Sequence, residues 1–179
     1  FDFDGTLSPI VPDRNEARLH RECERMLRFL ARSAWNRVAV LSSRTLDDKQ
    51  WTVAFMLDDG PVKFYRYDRG EGKAHFLFNS RDDLEGYPLV KMHPVLIPTR
   101  DGKELVSYLT LPPGSDPDGD GVPNKPVPMV LNVHGGPWAR DAWGFDPEHQ
   151  WLANRGYAVL AVNYRGSTGF GKNFVNAAN

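Results

Sequence analysis

Two short segments carry residues whose types and spacing suit chemistry. In Asp2-Phe3-Asp4-Gly5-Thr6, two carboxylates stand one residue apart and Gly-Thr follows. That pattern suits metal-assisted phosphoryl transfer. One carboxylate can attack phosphorus while holding Mg²⁺, and the other can deliver and remove protons. Gly5 lets the backbone approach a phosphate, and Thr6 adds a donor. In His134-Gly135-Gly136-Pro137, an apolar run over residues 127–133 feeds directly into the glycines. Glycines there allow backbone N–H groups to turn toward an oxygen that gains negative charge during acyl transfer. His134 reads better as a brace for this loop than as a proton-transfer group.

Two further segments imitate sites. Residues 166–173 (GSTGFGKN) follow the spacing of a phosphate-binding loop, but Asn173 stands where a Mg²⁺-binding hydroxyl is needed. Asp116, Asp118, Asp120 and Gly121 follow calcium-loop spacing, but Val127 stands where a bidentate Glu should close the loop. A solvated turn explains those acids as well.

The elements that must position these residues change texture twice. Asp13 and Glu16 have capping-box spacing. Leu19, Cys23, Met26, Leu27 and Leu30 then recur at helical intervals, with Arg18, Arg21, Arg25, Arg28 and Arg32 on a solvated face. Residues 37–41 (RVAVL) read as a buried parallel strand, so strand, helix and strand open a doubly wound α/β fold. Too few residues follow for a second crossover, because parallel connections need about a dozen. Residues 51–57, 62–67 and 74–78 instead read as antiparallel strands joined by turns at Asp58-Asp59-Gly60-Pro61 and Gly70-Gly72. A boundary is expected near residues 49–51. From His93 onward the chain reads as a hairpin over residues 95–98 and 104–111, a polar loop, and a strand over 127–133. A helix capped by Asp146-Pro147-Glu148 and closed by Gly156 follows, and then a strand over 157–162.

Bulk properties narrow the classes. The 179 residues are 41% hydrophobic, enough for globular cores. The net charge of -1 gives no field to draw nucleic acid or anionic lipid, and no apolar run is long enough to span a bilayer. The single cysteine, Cys23, leaves no internal disulfide and fits a cytoplasmic rather than secreted setting.

The first motif resembles motif I of the haloacid dehalogenase (HAD) superfamily. The stretch through Val38-Ala39-Val40-Leu41-Ser42-Ser43-Arg44 is similar to trehalose-6-phosphate phosphatases. The resemblance covers about residues 1–48. It implies Asp2 as nucleophile, Asp4 as general acid/base, Mg²⁺ held by Asp2 and Asp4, and phosphate bound by Thr6 and Ser42. The substrate would be a sugar phosphate. The later Lys and acids of that family are not in place. Leu57-Asp58-Asp59-Gly60 imitates the acidic motif but falls in a hairpin turn.

The run VLNVHGGPWARDAWGFDPEHQWLANRGYAVLAVNYRGSTGFGKNF resembles the acylaminoacyl-peptidase and dipeptidyl-peptidase branch of the prolyl oligopeptidase family. With the hairpins before it, the resemblance covers about residues 51–179. It implies an α/β-hydrolase acting on peptides without a cofactor, with Gly135 and Gly136 lining an oxyanion hole. The nucleophile elbow G-x-S-x-G does not occur in these 179 residues, and Ser167 lacks its first glycine. The expected architecture is α/β in three parts. Residues 1–49 form a partial HAD Rossmann-like unit. Residues 50–92 form antiparallel hairpins of a β-propeller remnant. Residues 93–179 form the N-terminal portion of an α/β-hydrolase sheet. The expected functions are a serine-peptidase fragment without its triad, a Mg²⁺-dependent phosphatase, or a non-catalytic chain that self-associates through exposed sheet edges.

Overall fold

The computed structural model describes residues 40–136 and 138–178. Asp2, Asp4, Thr6 and the arginine-flanked helix therefore lie outside the described residues. Two compact units emerge. The first holds the described residues through Leu57 together with Pro61–Asp83, and the second holds Asp58–Gly60 with the described residues from Leu84.

The first unit is a four-stranded antiparallel meander: β1 (Val40–Arg44), β2 (Gln50–Phe55), β3 (Lys63–Asp68) and β4 (Lys73–Asn79). Residues 37–41 were expected to form a parallel strand with Ser42 in the loop beyond it. Instead Val40–Arg44 pairs antiparallel with β2, and Ser42 lies opposite Val53. The expected boundary at 49–51 falls inside this hairpin. The physical reason is connection length: the short turn after Arg44 can close a hairpin but cannot carry a crossover. A local knot sets that turn. Asp48 adopts φ 55, a conformation that Asp tolerates better than most residues. Its carboxylate accepts from Trp51 Nε1 at 2.9 Å and also pairs with Arg69. The Arg69 guanidinium lies 5.2 Å from the centre of the Trp51 ring. Trp51, Val53 and Ala54 are buried, while Phe76 and Phe78 on the edge strand β4 stay exposed.

The second unit is a mixed sheet of order β5-β6-β8-β7, formed by β5 (Met92–Pro98), β6 (Glu104–Thr110), β7 (Met129–Asn132) and β8 (Ala158–Val162). β5 pairs antiparallel with β6, and β6 pairs antiparallel with β8. β7 pairs parallel with β8, as strand–helix–strand patterning predicts. The crossover helix α1 (Pro147–Ala153) begins as read from sequence: the Asp146 carboxylate accepts from the N–H groups of Glu148 and His149 at 2.8 and 3.0 Å. Asn154 caps its end, and Gly156 turns away at φ 87. None of the described helices is long and apolar enough to cross a membrane.

α1 fixes its own position through Gln150. Its amide nitrogen donates to the carbonyls of Val90 and Asp58 at 2.7 and 3.0 Å, and its amide oxygen accepts from Val90 N–H at 3.0 Å. Asp58, expected to be a plain turn residue, is instead 4% exposed. Its carboxylate accepts from Met92 N–H at 2.8 Å, and Lys91 lies 3.6 Å away. The Gln150→Ala variant strands these backbone groups and is expected to lose about 2–4 kcal/mol of stability. Urea unfolding followed by circular dichroism reads this as a lower midpoint. An unchanged midpoint contradicts the clamp.

Candidate functional site

β7 emerges from the sheet into Val133-His134-Gly135-Gly136, so the parallel pair aims this loop at one end of the sheet. Gly136 adopts φ 141, and a Cβ there would lie 2.7 Å from the backbone nitrogen of Trp138. Only glycine fits so tight a fold-back. Both glycines are exposed. Among the described residues, no acceptor takes the N–H of Gly135 or Gly136. Exposed, unspent backbone donors in a fixed loop are what binding an oxyanion requires.

A loop with free donors does not hold its own shape, and residues 163–168 supply the support. The Tyr164 hydroxyl donates to the His134 carbonyl at 2.7 Å. The Tyr164 ring stacks on the His134 imidazole at 4.5 Å with 17° between planes. His134 Nδ1 faces the Gly135 carbonyl at 2.8 Å, so it donates there. Nε2 pairs with the Ser167 hydroxyl at 2.9 Å. Farther along the loop, Thr168 N–H donates to the Ala139 carbonyl at 2.9 Å. Asn163 grips Asp141 from both ends: its amide oxygen accepts from Asp141 N–H at 2.8 Å, and its amide nitrogen donates to the Asp141 carbonyl at 3.2 Å. The same nitrogen reaches Val106 O in β6 at 3.0 Å.

Ser167 beside His134 has the outline of a nucleophile and its base. Ser167 is 0% exposed, so no substrate carbonyl reaches its oxygen. The pair is spent on shape. The residues before α2 (Lys172–Asn176), which imitate a phosphate loop, are similarly occupied: Gly166 N–H donates to Phe174 O at 3.1 Å. The Asp116, Asp118 and Asp120 carboxylates do gather in the polar loop. Asp116, however, accepts from the N–H groups of Gly119, Asp120 and Gly121, which organise the loop around it.

Two titratable groups behind the loop feel burial. Burial pushes the Asp141 carboxyl above its ordinary value, opposed by the nearby His134 and His149, and its Oδ2 is buried with no hydrogen-bond partner among the described residues. Burial pushes His149 below its ordinary value, against the pull of Asp146 and Asp141. His149 lies under the sheet with Nδ1 2.9 Å from Thr110 Oγ1.

Sequence reasoning selected Gly135, Gly136 and His134, and the structure gathers all three in one loop. It missed Tyr164, Asn163 and Ser167 as the supporting surface. A polar residue directly after a largely buried apolar strand, as Asn163 is, was the available signal. Of the phosphate-site residues, Ser42 alone lies among the described residues, mid-strand in the first unit.

Comparison with known proteins places this geometry. Residues 143–179 match the prolyl oligopeptidase family, and residues 1–56 match the trehalose-phosphatase family. Dipeptidyl aminopeptidase BIII of Pseudoxanthomonas mexicana is 59% identical over 139 residues, covering 78% of this chain and 20% of that protein. Dipeptidyl peptidase family member 6 of Caenorhabditis elegans is 41% identical over 151 residues, covering 76% of this chain and 20% of that one. A Mycobacterium tuberculosis puromycin-hydrolysing peptidase superposes with a TM-score of 0.56 at 25% identity, covering 72% of this chain and 20% of that one. The chain thus spans about a fifth of the length of these relatives. The likeness to prolyl oligopeptidase-family peptidases is carried by both sequence and structure. The mixed sheet agrees with the α/β-hydrolase class of these structural neighbours.

The buried His149 sets a pH dependence. Its folded-state value is depressed, so the unfolded chain takes up its proton first as pH falls. Stability is full above the ordinary histidine value of 6.5 and declines as pH drops below it. The His149→Gln variant should flatten this limb. Urea midpoints at pH 7.5 and 5.5 test it, and parallel pH curves for variant and parent contradict it.

Proposed function

We propose, from the likeness to the prolyl oligopeptidase family, that residues 84–179 are the oxyanion-binding side of a serine peptidase that acts on short peptides. The observation that carries this reading is the loop at Gly135 and Gly136, with two exposed N–H groups that no described acceptor takes. In acyl transfer the scissile carbonyl oxygen gains charge as a nucleophile adds to carbon. Donors already in place stabilise that charge without reorganising. His134 holds the loop and moves no proton in this scheme: one nitrogen is spent on Gly135 O and the other on buried Ser167. No cofactor takes part. The scheme also needs a serine nucleophile and its base, since a hole alone polarises a carbonyl but has nothing to attack it with. The antiparallel meander is proposed as a remnant of the family's β-propeller.

A transplant tests the reading. The matched segment of this chain replaces its counterpart in the Pseudoxanthomonas relative, and release of dipeptide from a chromogenic substrate is measured. The chimera is expected to turn over. Gly136→Ala, whose methyl meets backbone at 2.7 Å, should cut kcat by about 10²–10³-fold. Tyr164→Phe should cut it several-fold with KM little changed. A folded, active chimera indifferent to Gly136→Ala places the oxyanion donors elsewhere.

The trehalose-phosphatase match over residues 1–56 favours a second reading for the N-terminal segment, a Mg²⁺-dependent sugar-phosphate phosphatase. Asp2 and Asp4 supply hard carboxylate oxygens, the donor type Mg²⁺ takes. They would hold the ion, which would offset phosphate charge when bound. Over residues 40–55, however, the chain forms an antiparallel hairpin rather than the parallel strand this reading needs. Phosphate release from trehalose 6-phosphate with Mg²⁺, lost in Asp2→Asn, supports this reading. No release above the Asp2→Asn background refutes it.

A further inference from the structure

Arg140 and Asp141 are adjacent residues of opposite charge in the candidate oxyanion loop, yet they do not neutralise each other. Asp141 turns inward, where its Oδ2 is buried with no hydrogen-bond partner among the described residues. Arg140 is exposed, and its guanidinium contacts Asp141 only through the backbone, Nε donating to the carbonyl at 3.4 Å. Among the described residues, no carboxylate lies within ion-pair distance of Arg140, whereas Arg165, Arg69 and Arg81 each have one.

The guanidinium is nonetheless held. Its Cζ lies 5.0 Å from the centre of the Phe170 ring. The space a Cβ on Gly169 would need is filled by Arg140, with Cζ at 3.2 Å and Cδ at 3.5 Å from that position. Gly169, at φ 89, thus makes room for the arginine. The Thr168 N–H to Ala139 O bond at 2.9 Å ties the two segments together immediately beside it. A cation packed on an aromatic ring loses little freedom on binding a ligand, and its planar fork still offers several donors. Trp138, two residues earlier, is 68% exposed and adds an apolar wall. The span from Gly136 to Arg140 is four residues, at most about 14 Å, so a short peptide can bridge both.

We propose that Arg140 is a specificity-determining residue that binds a carboxylate of the peptide substrate. The carboxylate would come from the free C-terminus or from an acidic side chain. This rests on the peptidase reading for its substrate class, while the anion preference follows from Arg140 alone. Bidentate pairing with a carboxylate matches the guanidinium fork and distinguishes an acid from its amide.

The full 179-residue chain is titrated by calorimetry with Ala-Ala-Phe, Ala-Ala-Phe amide and Ala-Glu-Phe amide. The expected result is about tenfold tighter binding of a carboxylate-bearing peptide than of Ala-Ala-Phe amide. Preference for Ala-Ala-Phe identifies the C-terminus as the group read, and preference for Ala-Glu-Phe amide identifies the side chain. The Arg140→Gln variant should bring all Kd values to that of Ala-Ala-Phe amide. Arg140→Lys, which keeps charge but loses the fork and the stacking, should retain only part of the preference. Equal Kd values for the three peptides, no measurable binding, or a preference that survives Arg140→Gln overturns the inference. An inactive chimera alongside an Arg140-dependent preference would remove the peptidase reading and leave the carboxylate site standing.

Discussion

A backbone N–H that must stay unpaired to be useful contributes nothing to holding its own loop. Gly135 and Gly136 are in that position, and the rest of the second unit follows from it. Their loop is shaped by groups that have no free donors of their own to offer. Tyr164 uses both its ring and its hydroxyl on His134, and Ser167 uses its hydroxyl on the same imidazole. Hydrogen bonds shielded in part from water matter because breaking one leaves its partner poorly solvated. Division of labour results: Asn163 and Ser167 are buried and hydrogen-bonded, while Gly135 and Gly136 are exposed with no acceptor for their N–H groups among the described residues.

That division depends on the sheet. β7 and β8 run parallel, so the ends that follow Asn132 and Val162 emerge side by side. This brings the His134 loop and the Asn163 segment into contact although they are far apart in sequence. α1, which makes the crossover between the two strands, is tied down by Gln150. Asn163 then links the two loop segments to Val106 in β6. The burial that makes these bonds effective also carries a cost. Asp141 keeps a buried carboxylate oxygen with no partner among the described residues, and burial pushes His149 below its ordinary value.

Much of this was legible in the residues and some was not. The parallel strands of the second unit, the Asp146 cap and the glycine loop follow from local patterns: buried runs, a cap with proline after it, and glycines where backbone must turn. Asp58 was read as a turn residue because its neighbours are Asp and Gly, and nothing local shows that its carboxylate accepts from Met92. Residues 37–41 were read as a parallel strand because an apolar run is the same in either direction. The antiparallel pairing of residues 40–44 was implicit only in the shortness of the turn that follows. The roles of Tyr164 and Ser167 depend on contacts some thirty residues away, as their bonds to His134 show, and no spacing rule reaches that far.

The decisive property is a loop that is rigid while its donors remain open to solvent. Nitrogen-15 relaxation of the Gly135 and Gly136 amides measures it directly. Order parameters near the rigid-backbone value of about 0.85, together with fast exchange of both amide protons with water, are expected of a braced oxyanion loop. Order parameters below about 0.6, or amides protected from exchange, would show a loop that is either unsupported or already hydrogen-bonded, and would contradict it.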